Sequence, residues 1–184
     1  MSVTVTPQEF HLVLFDAAAI ERVAEDLIER LGVGPLSLAV EVDETTPIAR
    51  IDLVDGDPVV VRAESGAFED PKRPRHLSEA SVATSLGRVL LRRHDRAHGY
   101  ADAPADDALM LAEQAAWDVA CLGRLERAGY PANRQRWLYN FRNRHGFTDA
   151  TDAVFDRLWD SSPPTWAALA AASEQATLFG RGAS

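Results

Sequence analysis

The stretch LSLAVEV, residues 36–42, marks a change in the hydrophobic period of the chain. Apolar residues alternate along it, which is typical of a β-strand with one buried face. The segments IARIDLV (48–54) and PVVVRA (58–63) follow, and both are short, β-branched and bounded by turn residues. Asp55-Gly56 between them is a hairpin signal. Together they predict a small, mostly antiparallel sheet of about three strands.

The segment before this sheet predicts one amphipathic helix. Thr6 is in the position of an N-cap, Pro7 in that of a first helical residue and Glu9 in that of a capping-box partner. Apolar residues then recur at helical spacing over 10–31, and Gly32 ends the pattern. We expect this helix to cover one face of the sheet.

The remainder of the chain is predicted to be helical after a polar loop at 65–76. Ser78, Thr148 and Thr165 are candidate N-caps. The predicted helices span about 78–97, 107–128, 133–144, 149–160 and 165–178. The fold class is therefore α+β, with a core over 1–128 and a helical extension over 129–184.

Composition limits the possible functions. The chain has 184 residues, 46% hydrophobic and 26% charged, which is ordinary for a globular domain. The net charge of -9 disfavours nucleic acid as a partner. Cys121 is the single cysteine, in an apolar context that predicts a buried thiol. No apolar stretch reaches membrane-spanning length and the start lacks the features of a signal peptide, so we expect a cytoplasmic protein without a membrane partner.

The most specific chemical motif is HDRAH, residues 94–98. His94 and His98 are four residues apart on a predicted helix, a spacing that lets two imidazoles share a zinc ion. Asp95 follows the first histidine, where an acid can serve as a general base toward zinc-bound water. The apolar row through Leu86 and Leu90 continues into both histidines, so we expect them to face the interior or a cleft.

The element order and the segments TPQEF, LAVEVDE, PVVVRAESGAFED and HDRAHG resemble the minimal zincin-like metallopeptidases of actinobacteria, over about Thr6 to Trp117. The resemblance implies that His94 and His98 are metal ligands and Asp95 the base, in a degenerate form of the usual HExxH. Pro104 occupies the position of the family's third ligand. Asp102, Glu113 and Asp118 are candidate replacements, and Glu113, on the next helix, is preferred by analogy with the gluzincin branch. The shorter side chain of Asp95 implies weak or absent catalysis.

A structural interpretation of the same residues stays open. His94 can be a core histidine, and a cationic His98 suits the C-terminal end of a helix. Glu113 and Asp118 can pair with arginines such as Arg88, Arg92 or Arg124.

A second motif interleaves arginines with aromatic residues in RQRWLYNFRNRHGF, residues 134–147. Trp137, Leu138 and Phe141 form a core stripe at helical spacing, with arginines along its rim. The rim is expected either to pair within the chain or to bind an acidic peptide or protein. The candidate partner-binding residues are Arg134, Arg136, Trp137, Arg142 and Arg144.

Two functions follow from these motifs. One is a zincin-like scaffold, with zinc as cofactor and peptidase or hydrolase activity if the site is active. The alternative is a non-enzymatic protein-interaction domain without a cofactor, which binds an acidic partner through the helix at 133–145.

Overall fold

The computed structural model describes residues 2–34 and 36–182, and its fold class is α+β. The chain divides into two compact units, Met1–Leu91 and Arg92–Ser184. Unit 1 carries the strands and unit 2 is helical. The strands are β1 (Ser2–Thr6), β2 (Ser37–Asp43), β3 (Ile51–Val54), β4 (Val59–Glu64), β5 (Glu69–Asp70) and β6 (Arg73–Leu77). The helices are α1 (Ala17–Leu31), α2 (Glu79–Ala97), α3 (Leu111–Arg127), α4 (Arg134–His145), α5 (Asp149–Asp160) and α6 (Trp166–Arg181).

Within the described part of unit 1, the main sheet has four strands in the order β1-β2-β4-β3. The pairings of β1 with β2 and of β2 with β4 are parallel, and the hairpin partners β3 and β4 are antiparallel. The hairpin predicted at Asp55-Gly56 is confirmed. The prediction of a mostly antiparallel sheet is wrong, because two of the three strand pairings are parallel. Helix α1 connects β1 to β2, and a crossover of this length allows parallel pairing.

One face of the four-stranded sheet is buried and the other is largely polar. Val5, Val40 and Val61 are in register across three strands and are at most 1% exposed. On the opposite face, Glu41 and Arg62 are also in register, and both are exposed. The alternation that predicted strands in the sequence therefore also separates core from surface.

The first helix begins ten residues later than its sequence signals indicate. Asp16 is the N-cap, with its side chain accepting a hydrogen bond from the Ala18 N–H. Thr6, expected to be the cap, is instead the last residue of β1. The helical pattern after residue 16 is correct, since Ile20, Val23, Leu27 and Ile28 of α1 are buried. Pairing with β2 therefore overrides the local capping signals at residues 6–9.

The helices of unit 2 begin and end close to their predicted positions. The side chains of Thr148 and Thr165 cap α5 and α6, and Asn133 caps α4. Two glycines allow helices to approach closely: a Cβ at Gly123 of α3 would collide with the Trp159 carbonyl, and one at Gly180 of α6 with that of His145. Cys121 is fully buried as expected, and burial raises its thiol pKa to about 12.

The predicted domain boundary at 128/129 stays a prediction. In the structure, α3 belongs with α4, α5 and α6 in unit 2, and the boundary between the two units falls within α2, after Leu91. The outer ends of the two predicted domains, residues 1 and 184, lie outside the described residues.

Candidate functional site

The histidine pair lies on the last turns of α2. The His94 and His98 rings stack, with centroids 4.1 Å apart and planes 19° from parallel. The His98 Nδ1 is 2.8 Å from the carbonyl oxygen of His94. His98 is exposed and His94 is half-buried, so of the two expected placements, the interior or a cleft, the interior does not hold for His98. The pKa of His94 is lowered mainly by burial and, to a smaller extent, by the positive charge of the neighbouring His98.

The buried member of the motif is Asp95, only 7% exposed. Its Oδ1 accepts a hydrogen bond from Arg124 Nη1 at 2.7 Å. Its Oδ2 accepts two, from Arg124 Nη2 and from the indole N–H of Trp117, both at 2.8 Å. Bidentate pairing with a guanidinium is the strongest common form of carboxylate binding in proteins. The role of Asp95 as a base stays a prediction of the resemblance, while its contacts give it a structural role.

Glu113, the predicted third ligand, lies at the first turn of α3. Its Oε2 accepts a hydrogen bond from the backbone N–H of Met110 at 3.2 Å, which caps the start of that helix. Over residues 2–34 and 36–182, no three His, Cys, Asp or Glu side chains form a group able to hold a metal ion. His94, His98 and Glu113 are therefore not brought together. Two imidazoles without a third protein ligand do not fit a catalytic zinc site, which needs three.

The aromatic ring of Trp117 is the centre of the same cluster. The guanidinium groups of Arg92 and Arg96 lie 5.3 Å and 5.0 Å from its centroid, within cation–π range. Tyr100 and Trp166 also contact it, with centroids at 5.2 Å and 5.4 Å. The residues around Asp95 are thus packed into a continuous aromatic and cationic core.

A second buried ion pair borders this cluster. Arg92 Nη2 donates to Asp118 Oδ1 at 2.6 Å, and both side chains are less than 10% exposed. The structural interpretation of the sequence included Asp118 pairing with Arg92, and this is confirmed. It did not assign Arg124 to Asp95, although the spacing of Trp117 and Arg124 on one helix, i and i+7, places them on a common face.

The arginines of α4 lie in two environments, one at the contact with α5 and one at the exposed surface. Arg134 binds Asp156 of α5 at 2.7 Å, and Arg142 binds Asp152 through two nitrogens. For these two residues, the expected pairing within the chain is confirmed. Phe141 is fully buried, while Trp137 is half-buried.

The outward side of α4 carries the other two arginines and Tyr139, and Phe147 lies just beyond the end of the helix. Arg136 and Arg144 are exposed, and no ion pair joins either to a carboxylate of residues 2–34 or 36–182. Tyr139 and Phe147 are each 60% exposed, and their rings contact edge to face with centroids 5.9 Å apart. We refer to Arg136, Tyr139, Arg144 and Phe147 as the α4 patch. Tyr139 and Phe147 were not among the predicted partner-binding residues.

The inward side of α4 is fixed by a buried histidine. His145 Nε2 is 2.9 Å from the Ser173 hydroxyl of α6, and its Nδ1 is 3.0 Å from the Phe141 carbonyl. Its ring stacks on Phe141 at 3.9 Å, and burial lowers its pKa. The close approach at Gly146 and Gly180 joins the ends of the same two helices. The α4 patch is therefore presented by a well-packed helix.

Comparisons with known proteins give no relatives. No family model, curated protein or solved structure matches the chain. The zincin-like resemblance is thus neither supported nor contradicted. Within the described residues, no helix is both long and apolar enough to cross a membrane.

Removing the charge of Asp95 should strongly destabilise unit 2. Asp95→Asn leaves Arg124 without its counter-ion, and loss of one partner from a buried pair costs about 3 kcal/mol. The four tryptophans, at 117, 137, 159 and 166, all lie in unit 2, so tryptophan fluorescence during urea unfolding reports on that unit. Asp156→Asn, in an exposed pair, is the matched control, with an expected cost below about 1 kcal/mol. An equal loss of unfolding free energy in Asp95→Asn and Asp156→Asn would contradict the structural role of Asp95.

The buried His145 should make unit 2 less stable in acid. Because its folded pKa lies below the ordinary value of about 6.5, the unfolded chain binds a proton before the folded one does. Its stabilising contribution is complete above about pH 6.5 and falls as the pH drops through the folded pKa. Unfolding of His145→Gln, followed by tryptophan fluorescence from about pH 7 to about pH 5, should show a shallower decline than the wild type. Parallel declines would show that His145 does not titrate differently on folding.

Proposed function

We propose that this chain is a non-catalytic protein-interaction protein that binds an acidic partner protein through the α4 patch. One observation carries the proposal: two aromatic rings, each 60% exposed and in mutual contact, lie on α4 and just beyond its end, beside two exposed arginines of that helix without carboxylate partners in the described chain. Tyrosine and arginine are enriched among the residues that dominate binding energy at protein interfaces.

Charge supports an acidic partner. Arg134 and Arg142 on the same helix are already neutralised by aspartates of α5. Arg136 and Arg144 therefore offer guanidinium groups whose hydrogen-bond donors are available to carboxylates. Net charge and the acidic side chains of α5 argue against nucleic acid, because both repel phosphate.

The packing of α4 supports a preformed surface. Phe141 and His145 are buried beneath the helix, so little ordering is needed when a partner binds. A surface that is already rigid loses less conformational entropy on association, which favours affinity. The zinc-hydrolase alternative has weaker support, since its predicted ligands are not assembled.

Peptide selection against the purified protein tests the α4 patch. We expect a displayed random-peptide library to yield sequences that combine Asp or Glu with an apolar residue. A selected peptide should lose about thirtyfold in affinity for Tyr139→Ala, because hot-spot truncation costs about 2 kcal/mol. Arg136→Glu/Arg144→Glu should weaken binding further and abolish it, because both charges then repel the acidic residues of the peptide.

The matched charge control is Lys72→Glu/Arg75→Glu, which makes the same charge change at two exposed residues of unit 1 that form no ion pair within the described chain. This control should retain most of the affinity. Selection of basic peptides, or equal losses in the two double variants, would contradict the proposal.

The zinc-hydrolase alternative predicts a different result. If it holds, elemental analysis of the purified protein shows stoichiometric zinc that is lost in His94→Ala/His98→Ala. We expect substoichiometric zinc and equal stability with and without chelator, because two imidazoles alone bind zinc poorly. Stoichiometric zinc that disappears in the double variant would favour the hydrolase.

A further inference from the structure

A cleft of about 490 Å³ lies within unit 1, at the carboxyl ends of the parallel strands. β1 ends at Thr6, β2 at Asp43 and β4 at Glu64, and all three residues line the cleft. The start of the antiparallel strand β3 contributes Asp52 to the same edge. Open sheets with parallel strands commonly bind ligands outside the carboxyl ends of those strands. The volume is within the usual range for small-molecule sites.

The charges of the cleft are unequal. Its lining carries four carboxylates and two guanidinium groups, so its formal net charge is -2. These groups are Glu41, Asp43, Asp52, Glu64, Arg50 and Arg62. Arg62 Nε forms an ion pair with Glu41 Oε2 at 3.1 Å. The contact of Arg50 with Glu64 Oε1 is longer, at 3.7 Å.

The remaining carboxylates have unused acceptor capacity. Glu64 Oε2 is buried and has no hydrogen-bond partner within the described chain, although buried polar atoms are nearly always satisfied. Asp43 is bound on Oδ1 by the backbone and hydroxyl of Thr45. Asp52 is exposed and has no salt-bridge partner among residues 2–34 and 36–182. The acceptors at this edge therefore exceed the donors.

The spacing of these acids favours an organic cation over a metal ion. No three acidic, histidine or cysteine side chains in the described residues are close enough together to hold a metal. An ammonium group has three N–H donors that can reach separate carboxylates. Pro7, Val42 and Ala63 add apolar surface for an alkyl stem.

From these observations, we propose that the cleft at the ends of β1, β2 and β4 binds a small alkyl diamine. One ammonium group interacts with Glu64 and Asp43 and the other with Asp52. The two positive charges match the charge of the lining. This site is separate from the α4 patch and does not depend on the proposed function.

Calorimetric titration with 1,4-diaminobutane, at physiological salt, tests the site. We expect saturable binding to the wild type that weakens at least tenfold in Glu64→Gln and at least threefold in Asp52→Asn. Asp52 is exposed, so its substitution preserves the fold even if that of Glu64 does not. Glu25→Gln, an exposed carboxylate on α1 that does not line the cleft, is the matched control and should bind as the wild type does.

Two ligand controls complete the experiment. Butane-1,4-diol, which has the same length without charge, should not bind. Titration with magnesium chloride at equal ionic strength should not produce the heat of binding that is measured with the diamine. Absence of diamine binding, equal binding by all three variants, or an equal response to magnesium would overturn the proposal.

Discussion

The carboxylate of Asp95 lies inside unit 2, where an ionised group is stable only if its charge is matched and its oxygens are hydrogen-bonded. Arg124 and Trp117 meet both requirements, and both come from α3. This pairing fixes how the end of α2 meets α3. The stacking of Arg92 and Arg96 around the Trp117 ring then follows from the same docking.

The burial of Asp95 explains why the histidines do not form the predicted site. Asp95 is turned by about 100° from His94 around the helix axis, and the side of α2 that carries it packs against Arg124 and Trp117 of α3, while His98 stays exposed and His94 half-buried. In the structure, two rows of residues along α2 are buried, one through Leu86 and Leu90 and one through Ala83 and Leu91. The first leads to His94 and the second to Asp95. The spacing of residues in the sequence could not show which of these two rows faces the interior at the end of α2. That orientation depends on Arg124, which is 29 residues away from Asp95.

The fold was predictable where local signals and tertiary packing agree. α5 begins and ends where its threonine cap, apolar spacing and flanking residues indicate. The start of the chain was predicted wrongly because Thr6, Pro7 and Glu9 imitate a helix start, while the alternating stretch before them pairs with β2. That pairing joins residues 35 apart in the sequence, such as Val3 and Leu38, and no local pattern specifies it. Hydrophobic periodicity alone therefore could not predict the parallel pairing of β1 with β2, or the cleft at the carboxyl ends of these strands.

Charge pairing also separates structural residues from candidate binding residues. In an acidic chain, arginines that pair internally, such as Arg92, Arg124 and Arg142, stabilise the fold and are unavailable to a partner. Charged groups left without a counter-ion keep their full capacity to attract one. By this criterion we propose an anionic partner for the outer arginines of α4. At the sheet edge, where carboxylates outnumber arginines, we propose a cation, although both surfaces belong to one chain with a net charge of -9. Both proposals follow from the local balance of paired and unpaired charges, and the net charge of the chain does not determine them.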